Sequence, residues 1–335
     1  MLNVNDFIPL LERALAAREP RFGQRHETAL RLFSGFYEGE PALAIDLYAA
    51  TAVIHLYAEP PAAGQPLVDA ATALLRQRLP WLQAILLKTR NSPLSEEKNG
   101  VLLYGSHTDR KIRENGVWYA VDLQLNRDAG FYLDTTNLRV WLKDRMAGKT
   151  VFNTFAYTGS LGVAAMAGGA ARVVHCDLNR NFLNQAKTSY TLNGFPIDRK
   201  DFLAGDVWRV AARYRHEPQS FDCVILDPPF FAEGPGGTVD QVRHSAQLIN
   251  KVRPLVRDGG YLIAVNNALF VSGQDYDRTL TELAADGYLE LVERIPVPAD
   301  VTGYPETVTG APITDPAPFN HSTKIAVLKI KRKNP

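Results

Sequence analysis

The chain reads as an α/β protein: a doubly wound, largely parallel sheet preceded by a smaller α+β domain. Three observations point there. From Thr150 onward, short β-branched or apolar runs alternate with helix-like stretches. The early runs end in polar tips that carry glycine, an acid or proline. The last two runs, Leu289 to Ile295 and Lys324 to Ile330, read as an antiparallel pair separated by the Pro-, Thr- and Gly-rich stretch Pro296 to Phe319.

The elements follow in order. Asp6 to Arg18 reads as an amphipathic helix with Asn5 as N-cap, Pro9 in its first turn, and Phe7, Ile8, Leu11 and Leu15 on one face, expected to cover a domain. Glu27 to Arg113 reads as a small mixed domain. It has a strand pair around Ala44 to Leu56, a Pro/Ala/Gly link at Pro60 to Pro66, a helix from Leu67 to Arg78 and a strand near Ala84 to Lys88. Val117 to Leu125 begins a hairpin leading into the second domain, so the expected division is 1–116 and 117–335.

Four signals in fixed order mark the second domain. Thr150-Val-Phe-Asn-Thr-Phe155 runs as a buried strand into the turn Phe155-Ala-Tyr157-Thr158-Gly159 and then a helix; Gly159 tolerates φ > 0 and lets a ligand approach the backbone. The next strand, Ala171 to Cys176, delivers Asp177 at its carboxyl end, where an acid can bind both hydroxyls of a ribose. A helix from Asn181 to Thr191 stops at Asn193-Gly194, and Asp201 to Asp206 reads as a short strand with Asp206 at its tip, within reach of an adenine amino group. The apolar strand Phe221 to Leu226 ends in Asp227-Pro228-Pro229-Phe230. Its two prolines fix φ and remove two donors, which leaves a stiff turn whose carbonyls are expected to face a ligand.

Two nucleotide-handling classes share this layout. A nicotinamide dehydrogenase wants Gly-x-Gly-x-x-Gly after the first strand, but Tyr157 and Thr158 stand where that tight turn belongs. A class I S-adenosylmethionine-dependent methyltransferase, with its Rossmann-like sheet, needs a turn for the methionine moiety, an acid for the ribose and a polar contact for the adenine. All three are present, so S-adenosyl-L-methionine is the expected cofactor.

From about Arg31 to Lys329 the chain resembles the bacterial 23S ribosomal RNA methyltransferases of the RlmI, RlmO and RlmK type. The resemblance is carried by Leu30-Arg-Leu-Phe-Ser-Gly with Ala44-Ile-Asp-Leu-Tyr48, by Ile112-Arg-Glu-Asn-Gly-Val-Trp-Tyr-Ala-Val121, by Gly130-Phe-Tyr-Leu-Asp134-Thr-Thr-Asn-Leu-Arg139, by Phe155-Ala-Tyr-Thr-Gly159 and by Asp227-Pro-Pro. It implies a class I methyltransferase sheet of seven strands with a smaller N-terminal α+β domain. It also implies that Tyr132, Asp134 and Arg139 lie beside the cofactor, with Arg139 near a carboxylate or phosphate. Equally, Asp134 would serve as a cap for the helix beginning near Asn137. On the same resemblance Phe155 to Gly159 holds the methionine part, Asp177 with Leu178 the ribose, and Asp206 with Val207 the adenine.

The departures narrow the chemistry. Family members that methylate cytosine C5 carry a Ser-Cys-Ser strand whose cysteine is a covalent nucleophile. The matching strand here, Tyr261-Leu-Ile-Ala-Val-Asn266-Asn267, has no sulfur, and Cys176 and Cys223 read as core. The Asn pair is similar to the Ser-Asn-Asn of the branch acting on guanine N7, where attack needs positioning but no proton removal. Asp227-Pro-Pro-Phe230 also resembles the turn of amino-methyltransferases acting on adenine N6 or guanine N2. There the acid and a proline carbonyl accept from the exocyclic NH₂ and the ring stacks on the base, worth about 1–3 kcal/mol. At the front, where several relatives carry a PUA-type RNA-binding barrel, this chain has the amphipathic helix.

Composition is that of an ordinary globular protein: 335 residues, 46% hydrophobic, two cysteines, and a formal net charge of +1 that supplies no general field for nucleic acid. Local clusters exist at Arg110-Lys111 with Arg113 and at Lys329-Ile-Lys331-Arg332-Lys333. No metal-ligand spacing, secretory signal or spanning segment is read, so the expectation is a cytoplasmic enzyme without metal, monomeric or homodimeric. Two loops are candidate lids: Glu233 to Val239, with Gly234, Gly236 and Gly237, and Pro296 to Phe319 over the substrate edge. The expected activity is direct, in-line methyl transfer to a base of large-subunit ribosomal RNA, a purine nitrogen rather than cytosine C5, with Asp227, Pro228, Pro229, Phe230 and Asn266 handling the acceptor. The alternatives are a methyltransferase for a small molecule or protein, and a non-catalytic RNA-binding or assembly factor that keeps the fold.

Overall fold

The computed structural model describes residues 1–216, 220–234 and 237–332. Gly236 of the first candidate lid and Lys333 of the carboxyl-terminal cluster lie outside the described residues. The chain forms two compact units, Met1–Asp134 with Pro298–Pro312, and Thr135–Val297 with the chain from Ile313.

The first unit is a five-stranded sheet in the order β1 (Ala29–Ser34), β2 (Leu43–Tyr48), β3 (Thr51–Leu56), β4 (Ala84–Thr89) and β5 (Val101–Tyr104), antiparallel except for β3 with β4. Helices α1 (Val4–Arg18), α2 (Gly35–Glu38), α3 (Gln65–Arg78) and α4 (Ser95–Asn99) accompany it. Phe7, Leu11, Ala14 and Leu15 of α1 share a core with Leu67, Val68, Ala71 and Leu75 of α3 and with Leu32, Ile45 and Ile54 of the sheet. The amphipathic face does cover the domain. Its N-cap is Asn3 rather than Asn5: the Asn3 side chain accepts from the Asp6 N–H at 3.0 Å, which starts the helix two residues earlier.

The unit runs on to Asp134 because polar groups of the sheet stitch the following segment down. A small antiparallel hairpin of β6 (Lys111–Glu114) and β7 (Val117–Ala120) begins before the expected Val117. The Asp109 carboxylate accepts from Ala50 N and Thr51 Oγ1 (3.0 and 2.8 Å), Tyr48 Oη donates to Phe131 O (3.0 Å), and the buried Lys88 ammonium donates to the carbonyls of Asn99, Asn126 and Asp128. Part of the second candidate lid is likewise fastened here. Asp300, in a helical turn Ala299–Thr302, accepts from Arg31 N at 2.9 Å and pairs with Arg21, while Thr309 N donates to Tyr37 O at 2.8 Å. Pro298–Pro312 is therefore a strap bound to the first unit.

The second unit is a seven-stranded sheet. Helix α5 (Thr136–Arg145) precedes β8 (Thr150–Thr154), α6 (Ser160–Ala167), β9 (Arg172–Asp177), α7 (Arg180–Leu192), β10 (Phe202–Ala204), α8 (Val207–Arg215) and β11 (Phe221–Leu226). A separate hairpin of β12 (Phe231–Gly234) and β13 (Gly237–Asp240) follows, then α9 (Ser245–Val252), β14 (Val256–Asn266), α10 (Gly273–Ala284), β15 (Leu289–Ile295) and β16 (Lys324–Ile330). The order is β10-β9-β8-β11-β14-β16-β15, parallel from β10 to β14, with β16 antiparallel to both its neighbours. This is the expected class I methyltransferase sheet, and the first unit is the expected smaller N-terminal α+β domain. Alternate residues feed two cores: Phe152, Val174, Cys176, Val224 and Leu262 one face, Val151, Val173, Cys223, Ile225 and Ile263 the other. Both sides of the parallel strands are thus buried, which is why these runs are continuously apolar rather than alternating. No helix among the described residues is long and apolar enough to cross a membrane.

Candidate active site

The strand order reverses between β8 and β11, and ligands in such sheets bind at the carboxyl ends flanking that switch. The register places the sequence signals there in one row. Leu203, Cys176, Thr154, Leu226 and Ala264 pair successively across five strands, so Ala204, Asp177, Phe155, Asp227 and Val265 come next in line.

The turn after β8 is built from left-handed residues. Phe155, Tyr157 and Gly159 have φ of 50°, 49° and 80°, and for the first two this costs of order 1–2 kcal/mol each. Their surroundings hold them: Ala156 N donates to Cys176 O (2.9 Å), Gly159 N to Ala156 O (2.7 Å), and Tyr157 N to Asp177 Oδ2 (2.8 Å). The Phe155 ring meets Trp208 edge-on at 5.3 Å and Tyr157 meets Phe182 at 4.5 Å; Thr158 is buried. Gly159 has the positive φ expected of it, but its missing Cβ makes room for the protein: a Cβ there would lie 2.5 Å from Ala186 Cβ of α7. Gly162 is similar, its Cβ position falling 2.3 Å from the His175 ring. These glycines let the turn and α6 sit close against α7 and β9.

Asp177 closes the turn. Its other oxygen accepts from Asn179 N at 2.8 Å, so each carboxylate oxygen holds one main-chain N–H and keeps further lone-pair capacity. Burial raises its carboxyl above the ordinary value, and the Asn179 and Tyr157 N–H groups pull the other way. Leu178 beside it is 62% exposed. Gly205, whose N–H donates to Asp177 O, has nothing within 4 Å of where a Cβ would stand. Asp206 accepts from Arg209 N at 2.9 Å and so caps α8; this structural duty explains its place at the strand tip. The side chain of Val207 packs in the core. Two free acceptor positions for a diol, an open edge at Gly205 and an exposed apolar face at Leu178 fit an adenosyl group.

The acceptor side is organised differently. Asp227 is half-buried, and Phe230 and Phe231 are 47% and 53% exposed. The proline carbonyls are not free, contrary to expectation. Gln241 Nε2 donates to Pro228 O at 2.5 Å and reaches Pro229 O at 3.5 Å, and Asn267 Nδ2 lies 3.4 Å from Pro228 O. Asn266 is 1% exposed and tied in at both ends: Nδ2 donates to Gln241 O (3.1 Å) and Ser245 Oγ (2.9 Å), and Oδ1 accepts from Ala268 N (3.0 Å). It ties elements together rather than presenting its amide to an acceptor. The neighbouring Asn267 has a buried Oδ1 with no hydrogen-bond partner among the described residues. Asn267 is the second member of the Asn pair read in the sequence, whereas no spacing or composition marks Gln241.

Of the remaining candidates, Arg139 is buried on α5 with Nη1 donating to Thr135 Oγ1 (2.8 Å) and Nη2 to Thr136 Oγ1 (3.0 Å). The N-cap of that helix is Thr135, not Asp134. Tyr132 and Asp134 belong to the first compact unit, where Tyr132 Oη donates to Asp128 Oδ2 at 3.2 Å. Both cysteines are buried in strands, and burial pushes each thiol up to about 12; the charges of Asp177 and Asp206 add to this at Cys176. The basic clusters are largely paired. Arg110 meets Asp122 (2.9 Å), Arg113 lies near Glu27 (3.9 Å), Lys111 sits over the Trp118 ring, and Lys331 meets Glu290 (3.0 Å).

Comparison with known proteins gives the family. A family model described as S-adenosylmethionine-dependent methyltransferase matches residues 81–311, more than half of the chain, and the chain belongs to that family. It is 30% identical over 319 residues to the ribosomal RNA large subunit methyltransferase I of Vibrio parahaemolyticus, covering 91% of this chain and 79% of that one. It is 28% identical over 311 residues to the protein of the same name from Aeromonas salmonicida, at 91% and 78% coverage. The fold is shared with the solved structure of SMU.776 complexed with SAH, at a TM-score of 0.84 and 23% identity over 98% of this chain and 82% of that one. It is also shared with the SAM-dependent methyltransferase from Agrobacterium tumefaciens, at a TM-score of 0.62 and 16% identity over 91% and 90% of the two chains.

Proposed function

Taking membership of the S-adenosylmethionine-dependent methyltransferases as premise, we propose that this chain methylates a base of large-subunit ribosomal RNA at a purine nitrogen, by direct in-line transfer. The observation that carries the reading is the adjacency of two turns. The Phe155 to Gly159 cradle with Asp177 and the Asp227-Pro-Pro-Phe230 turn leave neighbouring strands at the same level, from Thr154 and Leu226. S-adenosylmethionine supplies an electrophilic sulfonium methyl. The chain's part is to orient: Asp177 accepts from the ribose hydroxyls, Leu178 and the open edge at Gly205 receive the adenine, the exposed Phe230 ring offers a stacking face, and Asp227 accepts a hydrogen bond from the acceptor base.

Nitrogen rather than cytosine C5 follows from the sulfur chemistry. Covalent C5 activation needs a thiolate, and both thiols here are buried and held far from ionisation. Large-subunit ribosomal RNA as acceptor rests on the similarity, over nine-tenths of this chain, to proteins named for that activity. A small molecule or protein is the second reading, favoured by the pairing of the basic clusters with acids.

The test is titration calorimetry with S-adenosylmethionine and S-adenosylhomocysteine, followed by tritiated methyl transfer to ribosomal RNA from cells lacking this protein. Label in the large-subunit RNA at a purine is the expected result. Tight cofactor binding with no RNA label selects the second reading, and no binding of either cofactor form leaves only a non-catalytic role.

A further inference from the structure

Gln241 lies between β13 and α9 and is 1% exposed. Its carboxamide bridges the turn after β11 and the end of β14: Nε2 donates to Pro228 O at 2.5 Å and Oε1 accepts from Asn267 N at 2.8 Å. Its main chain is also occupied. Gln241 N donates to Phe230 O at 3.1 Å, and Gln241 O accepts from Asn266 Nδ2 (3.1 Å) and Ser245 Oγ (2.5 Å). One residue thus joins the turn after β11, the end of β14 and the start of α9.

The need for such a residue follows from the turn itself. Pro228 and Pro229 have no N–H, so this stretch can be anchored only through its carbonyls. A partner must donate to Pro228 O and, at the other end, accept from Asn267 N. A carboxamide does both; an ionised carboxylate of the same length only accepts, and an aliphatic chain does neither. We propose that Gln241 is a positioning residue for the methyl acceptor, which fixes Asp227 and Phe230 relative to β14 and leaves cofactor binding untouched. The proposal rests on the reading that the Asp227 to Phe230 turn receives the acceptor.

The substitution Gln241→Glu keeps length and shape and makes donation to Pro228 depend on protonation. In the full-length protein, S-adenosylmethionine affinity by calorimetry is expected to stay within about twofold of wild type. Methyl transfer to large-subunit ribosomal RNA at pH 8 is expected to fall about a hundredfold in kcat/KM, the order that a misplacement of about 1 Å brings. Activity should then recover at least about tenfold, relative to wild type, as the pH drops toward 5.5 and the new carboxyl gains a proton to donate. Wild-type activity in the variant at pH 8, or a loss that is independent of pH and matched by a loss of cofactor affinity, overturns the proposal. If wild-type protein labels no RNA, the acceptor reading fails instead, and amide hydrogen exchange of Gln241→Ala decides the clamp separately. Faster exchange at Phe230, Phe231 and Asn267 with unchanged protection at Tyr157 and Asn179 supports it, and unchanged exchange at all five positions overturns it.

Discussion

The two turns at the switch point leave adjacent strands of one sheet, yet they are held by opposite means. The turn from Phe155 to Gly159 is fixed largely through its own main chain: its amides reach Cys176 O and Asp177, and its glycine meets the helix that follows β9. The turn from Asp227 to Phe230 has lost two of its own donors to proline and is held by Gln241 and Asn267, contributed 13 and 39 residues later than Pro228. A cofactor turn held through its own main-chain amides leaves little freedom to vary. An acceptor turn held by side chains from other elements can change its clamp without disturbing the cofactor. That separation predicts which measurements move together and which do not.

The largest expected effect is on the cofactor side. Asp177→Ala removes the acceptor for Tyr157 N and Asn179 N along with the proposed ribose contact, and charged hydrogen bonds contribute about 1.5–3 kcal/mol each. Calorimetry should show S-adenosylmethionine binding weakened by about a hundredfold or more; an unchanged Kd would take Asp177 out of the site. Phe230→Ala should separate the two sides, with cofactor affinity within about twofold of wild type and kcat/KM for RNA lowered by about ten- to a hundredfold, the worth of one stacked base. A loss of cofactor affinity in this variant would break the comparison.

Two further tests concern stability behind the cofactor turn. Gly159→Ala places a Cβ 2.5 Å from Ala186 Cβ at φ +80°, and a destabilisation of about 1–3 kcal/mol in urea unfolding is expected. Adding Ala186→Gly should restore part of it, because the second change relieves the clash but not the backbone strain. The smallest effect is a pH slope. His175 is fully buried, its Nε2 3.0 Å from Tyr190 Oη, and burial lowers its pKa to about 3 from an ordinary 6.5. The unfolded chain therefore binds the extra proton first as the pH falls. Stability attached to this group is complete above pH 6.5 and is lost toward pH 3, at no more than about 1.4 kcal/mol per pH unit. His55 in the first unit is depressed by burial as well, so the decisive quantity is the slope remaining in His175→Phe, which should be shallower between pH 6.5 and 4.5.

Legibility in the sequence divides between what a run of consecutive residues shows and what contacts between elements decide. Runs such as Thr150 to Thr154 and Phe221 to Leu226 announce buried parallel strands because both of their faces are covered, and the polar residue that ends each run marks the sheet's carboxyl edge. Phe155, Asp177 and Asp227 could be placed from those ends alone. Where more than one local solution exists, the sequence reading slips: Asn3 and Asn5 are both competent caps, and only the Asp6 N–H distance chooses between them. Gln241 had no signal at all, since a lone glutamine between a hairpin and a helix looks like any other surface residue until the fold carries it under two prolines.

The positions of the strands, their apolar faces and the chemistry of the strand tips were determined by the sequence itself, because burial on both faces and a turn at each strand end are conditions met by consecutive residues. The tertiary structure decided the rest. It assigned Pro298–Pro312 to the first unit through Asp300 and Tyr37, turned Asn266 from an acceptor contact into a tie, and placed a carboxamide against Pro228. Each of these is a hydrogen bond between groups far apart in the chain. Its energy is gained only once the burial of both partners removes water as the competitor, a condition that no local pattern records.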